Sequence, residues 1–510
     1  MEKIEKNILL TIVDGWGIGK DNPKKTGNAI KLVKPAFYNS LLKKYPNTEL
    51  SASGKDVGLL PGYVGSSKVG HLNMGAGRIV EQELAIFDEL IKDGSFFKNP
   101  ALKKAIRITG KKSSIHLLGL LSKGGVHSHI DHLFALLDFF KKNNFSRVYI
   151  HPILDGRDCS PKSAKKYLLE LEKKIKETGV GKIATLSGRF YALDRDKRWN
   201  RTKKAYDLYV KGVGKKTESW RSAIMDQYGK KNTDEFFEPF VLDEKGIIKN
   251  SDTIIFFDFR ADRARQITKA FLGQTPKEHK KDFKKIKVNF VSFTPYYPEY
   301  KGGFLYNPPI PKNTLGEVFS KFGLTQLRIA ESEKYAHVTY FFSGKKDDPF
   351  KGETRKIFSS PKVRTYDLKP EMSAKEITNY VVDSLKKNKY NLIVQNYANG
   401  DMVGHTGKLP AALKAVKSID SSLKQIYDNI NLDNWTWIIT ADHGNIEKMI
   451  DEKGLPYTAH TLNKVPFIFI SADKKKIKLK SKGVLGNIAP TILDYLKIKK
   501  PKEMIESLIK

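Results

Sequence analysis

Side chains that bind divalent cations are concentrated between residues 401 and 460. Asp401 and His405 stand four positions apart, Asp442 and His443 are adjacent, and His460 follows. Two carboxylates and three imidazoles in one stretch indicate more than one metal ion. Because these oxygen and nitrogen ligands come without a thiolate, they favour Mn²⁺ or Zn²⁺, with Mg²⁺ possible, over copper or an iron–sulfur cluster.

Buried strands are predicted upstream of three aspartates. The apolar runs lie at 8–13 before Asp14, at 391–394 before Asp401 and at 435–439 before Asp442. Such runs are typical of parallel strands covered on both faces, and ligands bind beyond the carboxyl ends of strands in open α/β sheets. One strand-end aspartate is more often a helix N-cap, and one histidine is more often structural, but three of each predict a dinuclear metal site.

A glycine-rich segment, residues 65–71, contains two serines that could supply a nucleophile. Ser66 and Ser67 precede a predicted helix over 72–76, where backbone N–H groups and the helix dipole favour an anion. Taken alone, the segment favours a serine that only caps the helix. Beside metal ions, a serine hydroxyl becomes a nucleophile for phosphorus, so the combination predicts phosphoryl transfer.

Length and composition indicate a globular protein of two or more domains, since the chain has 510 residues of which 40% are hydrophobic. The N-terminal apolar run is short and ends at Asp14, so no signal peptide is expected, and no run is long enough to span a membrane. The single cysteine, Cys159, excludes an internal disulfide. We therefore expect a cytoplasmic protein.

The net charge of +35 raises the question of a nucleic-acid partner, because a polyanion would be attracted to such a chain. The lysines are spread along the whole chain, and no zinc finger or RNP motif is present. Scattered lysine is typical of a solvated surface. We therefore expect neither nucleic acid nor a membrane as the specific partner.

Predicted strands and helices alternate along the chain. The strands are expected at 114–121, 147–154, 182–186, 253–259 and 288–293, and amphipathic helices at 163–177 and 373–387. This pattern predicts an α/β protein with mainly parallel sheets.

The metal ligands are divided between the first and last parts of the chain, so the middle is expected to be an inserted domain. We predict a discontinuous metal-binding domain of residues 1–77 and 311–510, and a second α/β domain of residues 78–310. The chain is expected to pass between the two domains at the glycine-rich segment 75–78 and at the Pro/Tyr/Gly-rich segment 294–311.

Arginines interspersed with aspartates recur at strand ends of the predicted insert. They lie in the segments 156–158, 188–189, 194–196 and 259–263. A single surface ion pair contributes little to stability. Repeated at strand ends, these arginines predict a clamp for an anionic small molecule that carries phosphate and carboxylate groups.

Taken together, the motifs resemble those of the cofactor-independent (2,3-bisphosphoglycerate-independent) phosphoglycerate mutases of the alkaline-phosphatase superfamily, over nearly the whole chain. The matching segments are 13–17, 69–78, 124–129, 154–158, 187–189, 194–199, 333–335 and 440–445. The resemblance implies an alkaline-phosphatase-like, three-layer, phosphatase-like domain with a mainly parallel sheet, and an inserted substrate-binding phosphotransferase domain. It also implies a monomer.

The resemblance further implies roles for individual residues. One metal would be held by Asp401, His405 and His460, and the other by Asp14, Ser67, Asp442 and His443. The two ions are expected to be Mn²⁺, with Mg²⁺, Co²⁺ or Zn²⁺ as alternatives. Ser67 would be the nucleophile, Lys334 would hold the phosphoryl group, and Asp158 would move a hydroxyl proton. The implied substrate-binding set is His127, Arg157, Asp158, Arg189, Arg195, Arg260, Arg263 and Lys334.

The implied reaction interconverts 3-phosphoglycerate and 2-phosphoglycerate in glycolysis and gluconeogenesis, through a phosphoserine and without 2,3-bisphosphoglycerate. Metallophosphatases and phosphopentomutases on the same scaffold are the rival enzymes, and the arginine-rich insert favours phosphoglycerate. The chain departs from the family pattern at five positions near the motifs: Ser66, Lys68, Lys123, Asp258 and Ala261. Lys68 places a positive charge beside Ser67, from which we expect an altered rate rather than another reaction.

Overall fold

The computed structural model describes residues 6–110, 112–473 and 475–510. The chain forms two compact units: the first combines Met1–Gln82 with Ile310–Lys510, and the second is Glu83–Pro309. Strands alternate with helices in both, and each unit contains a mainly parallel sheet. The predicted α/β fold class is confirmed.

The strands have two to seven residues each and are numbered in chain order. They are β1 (Asn7–Val13), β2 (Asn47–Ser51), β3 (Ile115–Leu121), β4 (Val148–Leu154), β5 (Lys182–Ile183), β6 (Thr185–Gly188), β7 (Lys215–Lys216), β8 (Phe240–Val241), β9 (Thr253–Phe256), β10 (Asn289–Ser292), β11 (Gly303–Phe304), β12 (Gln326–Glu331), β13 (Glu353–Phe358), β14 (Leu392–Tyr397), β15 (Trp435–Thr440), β16 (Val465–Ile470) and β17 (Lys482–Val484).

The sheet of the first unit has the strand order β13-β12-β14-β1-β15-β16-β2-β17. β1 is parallel to both of its neighbours, and the antiparallel pairs are those of β16 with β15 and β2. Consecutive residues Ile8, Leu9 and Leu10 are all 0% exposed. Because successive side chains of a strand point to opposite faces, both faces of this strand are covered, as the apolar run predicted.

Helices cover the faces of this sheet. The α-helices of the first unit are Pro23–Thr26, Ala29–Val33, Ala36–Lys44, Ser67–Ala76, Leu315–Lys321, Ala374–Lys387, Asn399–Gly404, Leu409–Tyr427 and Ile488–Tyr495, and a π-helical turn spans His337–Phe341. The helix predicted at 72–76 begins earlier, at Ser67, because Ser66 is its N-cap and accepts a hydrogen bond from the Val69 N–H at 3.4 Å.

The sheet of the second unit has the order β11-β10-β9-β3-β4-β6-β8-β7, with β5 beside β4. Its strand pairs are parallel except for β6 with β8. The predicted strand 182–186 is interrupted at Ala184, and the strand predicted at 253–259 ends at Phe256. It ends there because the Asp258 carboxylate, instead of a backbone carbonyl, accepts the Leu120 N–H at 2.8 Å.

The α-helices of the second unit are Glu83–Lys92, Pro100–Ile108, Ile130–Lys142, Ala164–Thr178, Arg189–Ala192, Trp199–Lys211, Trp220–Gly229 and Ala261–Phe271. Within the described parts of the chain, every helix is too short or too polar to cross a lipid bilayer.

Candidate active site

The aspartates and histidines predicted as metal ligands lie at one edge of the first unit's sheet. Asp14 follows β1, Asp401 lies in the helix after β14, and Asp442 and His443 follow β15. These three strands are neighbours and parallel, so their carboxyl ends meet at the same edge. All four side chains are buried, with 0 to 3% exposure.

Asp401, His405 and His460 form the first ligand group. Asp401 Oδ1 lies 3.1 Å from His405 Nε2 and 2.9 Å from His460 Nε2, and the two Nε2 atoms are 3.1 Å apart. Each Nδ1–H donates to a backbone carbonyl, that of Thr458 at 2.7 Å and that of Gly65 at 2.8 Å. The Nε2 atoms of the two rings therefore face each other and a carboxylate oxygen, an arrangement that suits a cation.

Asp14, Ser67, Asp442 and His443 form the second ligand group. The Ser67 hydroxyl lies 3.1 Å from Asp14 Oδ1 and 3.1 Å from His443 Nε2, and Asp14 Oδ1 lies 3.3 Å from His443 Nε2. Asp442 Oδ2 is buried and accepts no hydrogen bond from any described residue. A buried carboxylate oxygen without a donor is costly unless a cation is bound to it.

Lys334 lies between the two ligand groups. Its Nζ donates to Asp14 Oδ1 at 2.8 Å, to the Ser67 hydroxyl at 2.6 Å and to Asp401 Oδ2 at 2.5 Å. Burial opposes the charged form, but Asp14, Asp401 and Asp442 together raise the pKa of Lys334 above its usual range. This lysine is therefore a fixed positive charge within reach of the serine oxygen.

The charges of the site do not balance without further cations. Three buried carboxylates, those of Asp14, Asp401 and Asp442, face one ammonium, so two negative charges remain when the imidazoles are neutral. Although burial lowers it, these carboxylates raise the pKa of His443 to about 10. The site thus attracts positive charge strongly, and the residues fit divalent metal ions.

Several buried residues of this site were missed by the sequence reasoning. His71 lies 3.3 Å from Asp442 Oδ2, Asn396 donates to Asp14 Oδ2 at 2.8 Å, and Asn445 donates to Asp401 Oδ1 at 3.3 Å. His71 is also close enough to Asp14 and Asp442 to share a cation with them. His71 and Asn445 lie in the matching segments 69–78 and 440–445, which is the signal that could have found them; no sequence signal separates Asn396 from an ordinary core polar group.

The predicted substrate residues form a network in the second unit. Arg189 Nη1 donates to Asp155 Oδ1 and to Asp158 Oδ2, both at 2.5 Å, and Asp158 Oδ2 lies 3.8 Å from His127 Nε2. Asp155 orients this arginine and was not among the predicted site residues. Burial, with the charges of Arg260 and Arg189, lowers the pKa of His127 to about 3, so its imidazole is neutral.

The remaining arginines lie on the helix Ala261–Phe271 or contact its first turn. Asp262 accepts from Arg195 Nη1 at 3.2 Å and from Arg260 Nε at 3.0 Å. Burial, with Arg189, Arg195 and Arg157, lowers the pKa of Arg263. The structure therefore gathers like charges, as an anion site requires.

Arg157 is less integrated into this network. It is 53% exposed and lies 3.3 Å from Glu235 Oε1.

The fold and the site define a class of protein: an α/β protein with a candidate metal centre at the carboxyl edge of a mainly parallel sheet. A family model for the BPG-independent PGAM N-terminus (iPGM_N) matches residues 87–298.

Among relatives, the 2,3-bisphosphoglycerate-independent phosphoglycerate mutase of Clostridium tetani is 50% identical over 98% of both chains. The enzyme of that name from Clostridium kluyveri is 49% identical and covers 99% of this chain and 100% of the relative. The solved structure of Leishmania mexicana phosphoglycerate mutase is 30% identical, with a TM-score of 0.77, over 99% of this chain and 98% of that one. The chain belongs to the 2,3-bisphosphoglycerate-independent phosphoglycerate mutases, which confirms the resemblance and the expected enzyme class.

Proposed function

We propose that this mutase interconverts 3-phosphoglycerate and 2-phosphoglycerate, in glycolysis and gluconeogenesis, through a phosphoserine on Ser67. The observation that carries the proposal is the set of contacts of the Ser67 hydroxyl: Lys334 Nζ at 2.6 Å, Asp14 Oδ1 at 3.1 Å and His443 Nε2 at 3.1 Å. A hydroxyl at the first residue of a helix, beside an ammonium, a carboxylate and an imidazole, lies where a nucleophile for phosphorus can be activated.

We propose that two divalent ions bind here, one to Asp401, His405 and His460, and one to Asp14, Ser67, Asp442 and His443. Bound ions would act as Lewis acids that offset negative charge on the serine and phosphoryl oxygens. Mn²⁺ is the expected metal, and Mg²⁺, Co²⁺ and Zn²⁺ are alternatives. The Leishmania mexicana relative was solved at low cobalt concentration, which supports a site for divalent ions of this size.

In the first half-reaction, Ser67 Oγ forms a bond to phosphorus while the bond from phosphorus to the 3-oxygen of glycerate breaks. The Ser67 proton is released to water, which a bound metal ion would favour by lowering the pKa of the hydroxyl, and the ammonium of Lys334 stabilises the charge on the phosphoryl oxygens. The departing 3-oxygen takes up a proton and glycerate remains bound. In the second half-reaction the 2-hydroxyl, after losing its proton, takes the phosphoryl group back from Ser67. Asp158 is the proposed proton acceptor.

The arginine network of the second unit is the proposed holder of the substrate's anionic groups. Arg189, Arg195, Arg260 and Arg263 are held by aspartates or by backbone oxygen, as in the hydrogen bond from Arg263 Nη1 to the Leu193 carbonyl at 3.0 Å. A prepositioned guanidinium loses little conformational freedom when it binds a carboxylate or phosphate. His127 and Arg157 complete the proposed set.

The deciding experiment follows the conversion of 3-phosphoglycerate with added Mn²⁺, without 2,3-bisphosphoglycerate, and again after EDTA. Isomer formation that EDTA abolishes and Mn²⁺ restores supports the proposal. Free phosphate without isomer would instead identify a phosphatase, and unchanged turnover after complete metal removal would contradict the metal site.

The arginine assignment is tested by the double variant Arg260→Ala and Arg263→Ala. Mutase activity should fall at least about a hundredfold while metal binding stays unchanged. Arg265→Ala is the matched control, since Arg265 lies on the same helix but is exposed and donates to the Tyr296 carbonyl at 3.2 Å. Activity of the double variant equal to that of the control would exclude the assignment. Monomeric state and cytoplasmic location stay predictions, and sedimentation velocity tests the first.

A further inference from the structure

Glu447 lies among the loops that carry the proposed metal ligands, although it belongs to neither ligand group. Its side chain is 1% exposed. Its carboxylate accepts four hydrogen bonds from three segments of the chain, one of which is its own loop. The donors are the Gly17 N–H at 3.1 Å, the Asn445 N–H at 2.8 Å, Asn463 Nδ2 at 2.9 Å and the Thr461 hydroxyl. Both oxygens of this carboxylate therefore accept hydrogen bonds from protein donors.

Each of these donors lies close in sequence to a proposed metal ligand. Gly17 follows Asp14, Asn445 follows Asp442 and His443, and Thr461 is the residue after His460. The ligands themselves come from loops that are far apart in sequence. The carboxylate of Glu447 is thus a common attachment point for ligand loops of both proposed metals.

Two glycines show how closely the loops approach this carboxylate. A Cβ atom at Gly17 would lie 2.3 Å from Glu447 Cδ, and one at Gly444 would lie 2.4 Å from Glu447 Oε1. Contacts this short are forbidden for carbon atoms, so both positions exclude any larger residue while Glu447 keeps its place. In the described part of the chain, no lysine or arginine forms an ion pair with Glu447, and its charge is met by neutral donors alone.

We propose that Glu447 is a positioning residue that sets the affinity of the active site for its metal ions by fixing Asp14, His443 and His460. The inference rests on the proposed metal function. Hydrogen-bonding partners that orient metal ligands typically change metal affinity 10- to 100-fold when they are removed, although they do not touch the metal. A carboxylate is suited to this task because hydrogen bonds to a charged acceptor are about twice as strong as neutral ones.

The test measures Mn²⁺ binding to metal-free protein by calorimetry or chelator competition. Glu447→Gln keeps the side-chain volume but turns an NH₂ group toward at least one pair of donors. We expect the dissociation constant for Mn²⁺ to rise about 10- to 100-fold, with activity recovering at high Mn²⁺. The melting temperature of the metal-free Glu447→Gln protein should fall no further than that of the control variant described next, whose affinity for Mn²⁺ should not change.

Glu353→Gln is the matched control. The Glu353 side chain is 0% exposed and pairs with Arg355 Nε at 2.5 Å, at the edge strand β13. This variant should lower the melting temperature and leave the Mn²⁺ dissociation constant within twofold of that of the wild type. A general loss of stability is thereby separated from an effect on metal binding.

A second variant decides the question if Glu447→Gln does not fold. Thr461→Val removes one donor at constant shape and should raise the Mn²⁺ dissociation constant about tenfold. Wild-type affinity in every folded variant would overturn the role of Glu447 while leaving the proposed function intact. Absence of Mn²⁺ binding by the wild type would instead refute the proposed metal site.

Discussion

Asp258 should make the second unit less stable as the pH rises from acid to neutral, and Asp258→Asn should remove this effect. The residue is 0% exposed, and its Oδ2 is buried without a hydrogen-bond partner among the described residues. Burial raises the pKa of Asp258 to about 7, against the opposing effects of the Leu120 N–H and Arg189. The folded protein therefore holds a proton on Asp258 that the unfolded chain releases near pH 4.

The sign follows from the direction of this shift. Because the pKa of Asp258 is higher in the folded protein than in the unfolded chain, its proton stabilises the folded state. This contribution to the free energy of unfolding is complete below pH 3.8, the pKa in the unfolded chain, and is lost as the pH rises to about 7. Each unit of pKa difference corresponds to about 1.4 kcal/mol, so the loss is at most about 4 kcal/mol. Between about pH 5 and pH 8 the loss is about 2 to 3 kcal/mol.

Other ionisable groups face Asp258 and enter the same balance. Asp155 and Asp262 raise its pKa further, while Tyr209 and Tyr296 have pKa values that burial raises above their usual range, so both stay neutral. An asparagine, like the protonated acid, offers one carbonyl oxygen as acceptor and a donor group on the other branch, without the titration.

The assay compares urea unfolding of wild type and Asp258→Asn at pH 5 and pH 8, following the transition of the second unit because two units need not unfold together. The free energy of unfolding of the asparagine variant minus that of the wild type should be larger at pH 8 than at pH 5 by about 2 to 3 kcal/mol. Asp243→Asn is the control: despite burial, Lys182 lowers the pKa of Asp243, so its titration ends below this pH window. A gap that is equal at both pH values would refute the reasoning.

Two substitutions test the chemistry at the serine. Ser67→Ala should abolish the phosphorylated enzyme seen by mass spectrometry and lower turnover at least about a thousandfold, because no other described hydroxyl contacts Lys334 Nζ. Turnover near that of the wild type would exclude Ser67 as the nucleophile. Lys334→Met should lower kcat by about 10²- to 10³-fold, with circular dichroism unchanged, because it removes the ammonium that contacts Asp14, Asp401 and the serine oxygen. An unchanged kcat would show that Lys334 is only structural.

The sequence was sufficient for the parts of the site that follow from strand ends. Apolar runs predicted buried parallel strands, and parallel strands place the residues that follow them at one edge, so Asp14, Asp401 and Asp442 were expected together. The order β14-β1-β15 could not be predicted, because strand neighbours depend on how distant segments pack. Lys334 was found only through a family motif, since its three contacts lie 67 or more positions away in sequence.

Glu447 and Asp258 show a different limit of sequence reasoning. Glu447 lies in a loop, and nothing in the sequence distinguishes it from a glutamate on the surface. Only the folded structure shows that four donors surround its carboxylate. Asp258 was noticed as a departure from the family pattern, but its effect on the end of β9 depends on one side-chain hydrogen bond to Leu120. Local propensity does not register such contacts, because they join segments that are distant in the chain.

The two units use the same position in a parallel sheet for opposite charges. In the first, three aspartates face one lysine, and the excess is negative. In the second, the arginines Arg189, Arg195, Arg260 and Arg263 face the aspartates Asp155, Asp158 and Asp262, and the excess is positive. The negative excess of the first unit is buried and favours bound cations. In the second unit Arg195 and Arg260 are 48% and 38% exposed, so the positive excess lies where an anion can reach it from solvent.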